Sequence, residues 1–115
     1  MRAYENVIEA LHHLKRFFSN NLKEQCEGKK RSAEICEELR IKSRVARSEI
    51  EKAIDVGGFL LCKEALDRLE QYRSEADEVG QQESWFRYLD ESLVATDSCI
   101  KDLIMIAKQD LRIKR

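Results

Sequence analysis

Few residues of this chain carry the chemistry of a catalyst or a metal centre in a spacing that would let them use it. His12 and His13 are adjacent, so on a helix they point about 100° apart and cannot serve one site from one element. Glu9 and His12 make a single Glu-x-x-His pair. A carboxylate-bridged di-metal bundle needs that pair twice, with two further glutamates, and no second copy occurs. Zinc requires clustered Cys and His, whereas Cys26, Cys36, Cys62 and Cys99 are dispersed and include no C-x-x-C pair. There is no Gly-rich phosphate loop, no dinucleotide fingerprint, and no Ser or Cys nucleophile with a matching base. The expectation is a protein that is not an enzyme and holds neither cofactor nor metal, with one histidine on the surface and the other on a flank.

The densest charge feature is Arg40-Ile41-Lys42-Ser43-Arg44-Val45-Ala46-Arg47, four bases with no acid among them. Arg40, Arg44 and Arg47 recur at i, i+4 and i+7, share one helix face, and can grip phosphates or an acidic partner. Against that, Glu37 lies three residues before Arg40 and Glu51 four after Arg47. The same bases can therefore form ordinary solvated pairs worth a few tenths of a kcal/mol each. The whole chain has 21 basic and 22 acidic side chains and a net charge of −1, so it has no bulk attraction for nucleic acid or anionic lipid. Charge is nonetheless uneven. The stretch from Lys63 to Glu83 is rich in acids, and the tail from Lys101 is rich in bases.

The elements that must position these residues are helices. Hydrophobic residues make up 43% of the chain and charged residues 37%, with no proline and 4 glycines, a balance that favours long helices over sheet. Tyr4, Val7, Ile8, Leu11, Leu14, Phe18, Leu22 and Cys26 keep helical spacing and predict a first helix over about 2–27, ended by Gly28. Its weak point is Ser19-Asn20-Asn21, three poor helix formers in a row. A second helix is predicted from a Ser32 N-cap to Val56, with Ile35, Leu39, Ala46, Ile50 and Ala53 inward. Gly57-Gly58 would cost a helix interior roughly 2 kcal/mol, so a turn is the first reading and a bent continuous helix the second. Helix three, about 59–79, turns Leu61, Ala65, Leu69, Tyr72, Ala76 and Val79 inward and stops at Gly80. Helix four, about 83–111, buries Phe86, Leu89, Leu93, Ile100, Leu103, Ile104, Ala107 and Leu111.

The fold class that follows is all-α, an antiparallel bundle of about four long amphipathic helices, or three if the second and third are continuous. At 115 residues the chain makes one domain, residues 1–115, and buries roughly 65% of its unfolded surface. The N-terminus lacks the apolar run of a signal peptide, and no apolar stretch nears the ~20 residues of a membrane span. With unpaired cysteines, this predicts a cytoplasmic protein with no membrane association.

Apolar surface exceeds what one core needs. Trp85, Tyr88, Ala95, Cys99 and Ile106 form a second stripe on helix four, widening its apolar arc to about 160°. Ile41 and Val45 lie on a flank of helix two, and Phe17, Phe59 and Leu66 also fall off the main faces. Such an arc can simply report a helix with two neighbours. Its other reading is a partner or dimer interface at Trp85, Tyr88, Cys99, Ile106, Ile41 and Val45, with a homodimer as the first partner. The function expected is a protein–protein interaction module, such as a small inhibitor, adaptor or chaperone-like accessory protein. The alternative is a nucleic-acid-binding regulator using Arg40, Arg44 and Arg47.

Overall fold

The computed structural model describes residues 2–27, 33–56 and 61–113. Four helices fill them: α1 (Arg2–Glu27), α2 (Ala33–Val56), α3 (Lys63–Val79) and α4 (Trp85–Ile113). Gly28, the Ser32 cap, the Gly57-Gly58 turn or kink and Phe59 lie outside the described residues, as do the side chains of Cys26 and Leu111. No described helix is long and apolar enough to cross a membrane.

Cross-helix bonds fix the topology. The Tyr4 hydroxyl donates to Asp110 at 2.8 Å and the Lys15 ammonium to Asp97 at 2.7 Å, so α1 and α4 run antiparallel. Arg68 bonds Asp102 and Tyr72 pairs with Thr96, which makes α3 antiparallel to α4 as well. The start of α1 at Ala3 lies beside Ala53 and Val56 at the end of α2. Helices adjacent in sequence are thus adjacent in space, in an up-down-up-down bundle 49 × 26 × 22 Å across. The weak seam joins α2 to α3, which touch over only a short stretch.

Local chemistry accounts for the helix limits. α1 runs unbroken through Ser19-Asn20-Asn21, where the Asn21 amide donates back to the Phe17 carbonyl at 2.7 Å. α3 begins at Lys63, later than the periodicity indicates. Leu61 is buried from a non-helical segment, and the extended Cys62 turns its amide onto the Tyr4 hydroxyl at 3.2 Å. α3 ends at Gly80 in a right-handed conformation (φ −60°, ψ −15°), with its amide still bonded to Ala76. α4 opens at Trp85 because Ser84 caps it: the Ser84 hydroxyl accepts the Arg87 amide at 3.3 Å.

The core contains Leu11, Leu14 and Phe18 of α1, Ala65, Leu69 and Tyr72 of α3, and Leu89, Ile100 and Leu103 of α4, whereas among the described residues α2 contributes only Ala46 and Ile50 as buried apolar side chains. Three residues expected inward are outside. Ile35 is 43% exposed in the first turn of α2, and Phe86 is 48% exposed in the turn of α4 that precedes the burial starting at Leu89. Ala76 is exposed in the opening between α2 and α3. Conversely, Arg68 and Thr96 are buried where no apolar pattern marks them.

Candidate functional site

The structure divides the helix-four stripe in two. Cys99 is wholly buried among core residues, so it cannot belong to a surface of the folded chain, and the expectation that it lies at an interface is corrected. Burial pushes its thiol up to about 12, which keeps it protonated and unreactive at neutral pH. Ala95 and Ile106 are half-buried against the same core. Of the stripe, Trp85 in the first turn of α4 stays open at 47% exposure, next to Phe86 at 48%; off the stripe, Val94 and Met105 are exposed further along the helix.

That turn carries an aromatic chain. Trp85 stacks on Tyr88 with ring centres 5.4 Å apart and planes 18° from parallel. Tyr88 meets Phe18 of α1 edge to face at 6.0 Å, and Phe18 meets Phe17 at 5.6 Å. The buried end of this chain anchors Tyr88 and so fixes the ring against which Trp85 rests. Trp85 is presented to solvent already oriented. Ile41 and Val45 form a second apolar patch, at 51% and 57% exposure on the outer side of α2.

The three arginines do not act as one face. Arg40 is taken by Glu37 at 2.6 Å, and this bond holds the Glu37 carboxyl below its usual range. Arg44 is exposed. Arg47 does not pair with Glu51, which is bound at 3.2 Å by Arg73 of α3. Its Nη2 donates instead to the Tyr88 hydroxyl at 3.2 Å. One residue from each predicted feature, Arg47 from the basic run and Tyr88 from the apolar stripe, is thereby brought to one place, a juxtaposition across 41 residues that spacing does not reveal.

Behind this contact a cleft of about 390 Å³ opens between α2, α3 and α4, floored by Leu14, Phe18 and Ile50. Elsewhere, His13 rather than His12 approaches Glu9, at 3.7 Å. Among the described residues no group of three His, Cys, Asp or Glu side chains is placed to hold a metal ion. Cys36, Cys62 and Cys99 are free thiols.

The fold and these surfaces define an all-α, up-down-up-down four-helix bundle with an aromatic turn exposed at the start of its last helix. Comparison with known protein families, curated proteins and solved structures finds no match to this chain.

Proposed function

We propose that the protein is a non-enzymatic interaction module that self-associates by burying the first turn of α4 between two copies. The observation that carries this reading is the pair Trp85 and Phe86, each about half exposed at the head of a capped helix, with Trp85 stacked on an anchored Tyr88. Large aromatics on rigid elements are the residues that dominate protein interfaces. A two-fold contact uses one patch twice, which needs nothing beyond what the chain presents. A standard interface covers about 800 Å² per partner, roughly a tenth of the 7922 Å² surface. The Ile41 and Val45 patch leaves a separate surface for a further protein, the arrangement an adaptor or stoichiometric inhibitor needs. We assign the protein to the cytoplasm, a placement supported by the exposed free thiol of Cys36.

Trp85 is the chain's one tryptophan, so its fluorescence reports on the proposed contact without labelling. The expected result is blue-shifted, acrylamide-protected emission at high concentration that moves to the red on dilution. Red, fully quenchable emission at every concentration would contradict the reading.

A further inference from the structure

The cleft between α2, α3 and α4 cuts into the core. Leu14, Phe18, Ile50 and Tyr72 line it, and each is 6% exposed or less. Its volume of about 390 Å³ falls within the roughly 300–1,000 Å³ of small-molecule sites, which in helical bundles form between helices. It exists because α2 and α3 part toward the C-terminal end of α3, where Ala76, Val79 and Gly80 form one lip. Apolar walls facing such a space lack the contacts that a packed neighbour would supply.

The mouth has a charge pattern of its own. Arg47 stands at the lip with the neutral Tyr88 hydroxyl as its hydrogen-bond partner, and among the described residues no carboxylate lies within ion-pair distance of it. The acid one turn along α2, Glu51, is engaged by Arg73. A guanidinium bonded to a phenol keeps donors for a carboxylate, and a charge-assisted, bidentate pair is the stronger bond. The remaining lip acid, Asp77, sets a limit. Arg73 and Glu51 offset each other, so Arg47 alone is left to meet one negative charge with Asp77 on the same rim, which disfavours a polyphosphate or nucleic acid.

We propose that this cleft binds a small amphipathic monocarboxylate. Its hydrocarbon body would lie on Leu14, Phe18 and Ile50, and its carboxylate on the Arg47 guanidinium beside the Tyr88 hydroxyl. The site is assembled within one protomer and does not depend on self-association. Its test therefore uses both the native chain and the Trp85→Ser, Phe86→Ser double variant.

The probes are decanoate, below its micelle concentration, and decanol, titrated calorimetrically. The expected result is saturable binding of decanoate by both proteins. Arg47→Ala weakens decanoate by about tenfold or more while leaving decanol nearly unchanged, and Arg47→Lys restores part of the loss. Ala95→Phe, which fills the cleft from α4, removes binding of both probes. Ala76→Phe, at the exposed lip, does the same if the first filler perturbs the far-ultraviolet circular dichroism. No saturable decanoate binding, equal losses of decanoate and decanol on Arg47→Ala, or undiminished binding in a folded filled variant would overturn the proposal. If decanoate binds but the chain never self-associates, the cleft stands and the interface does not.

Discussion

Arg68 is a guanidinium held at 9% exposure between two helices, and its partners explain why it is tolerated. It donates to Asp102 at 2.7 Å and Glu75 at 3.0 Å, and reaches the Ser98 hydroxyl at 3.5 Å. Burial works against its charge, yet the Asp102 and Glu75 bonds hold its pKa above the usual value. Removing it strands two carboxylates whose side chains are 49% and 36% exposed, so water can solvate them. Arg68→Ala should therefore cost about 2 kcal/mol, below the 3–5 kcal/mol of a charge left in a dry interior. Urea unfolding should show a lower midpoint with an unchanged slope. Cys99 and Tyr72 give a second prediction at this scale. Burial raises the thiol from 9.0 to about 12 and the phenol from 10.0 to about 12. Above pH 9 the unfolded chain releases protons that the folded chain retains, so stability is full below that pH and declines as pH rises toward 12. Between pH 7 and pH 10 Cys99 should account for a loss of about 1 kcal/mol. Urea titrations of Cys99→Ala should show a correspondingly shallower decline.

Each helix owes its position to a short list of contacts, and α4 owes its first turn to Ser84. The cap bond from the Arg87 amide holds the turn that carries Trp85 and Phe86. Ser84→Ala should cost about 1 kcal/mol, and the local consequence matters more than the global one. Amide exchange should speed up at Arg87 and Tyr88, whose amides bond Ser84, while remaining slow at Leu103, and the Trp85 emission should move to the red. Exchange at Arg87 and Tyr88 left unchanged by the substitution would show that the cap does not hold the turn. The leucine and isoleucine spacing made the existence and approximate limits of the helices legible, because each of them buries one stripe. It misplaced the start of α3 because Leu61 keeps helical register with Ala65 while sitting in a non-helical segment. Ile35 and Phe86 were misread for a related reason. Their spacing marks them as core, but spacing alone does not say how deeply the first turn of a helix is covered. Cys99 shows the reverse: an apolar residue on the edge of the stripe is buried once both neighbours of α4 are in place. Arg47 and Tyr88 were each picked out, but their meeting depends on the angles at which α2 and α4 pack.

At the scale of the molecule, three helices share most of the core and α2 closes it loosely. Among the described side chains of α2, only Ser43, Ala46 and Ile50 are buried, and its seam with α3 opens into the cleft. Such a bundle has an open side and an open end. The proposed ligand site occupies the first, and the proposed contact between copies occupies the second. The sharpest test of the account is the solution mass by light scattering over a concentration series, for the native chain and for Trp85→Ser, Phe86→Ser. That pair of changes avoids Tyr88, whose ring packs on Phe18 inside the bundle. The account predicts a native dimer that the double variant converts to a monomer with unchanged helical content. A native monomer at every concentration, or a dimer indifferent to both substitutions, would contradict it.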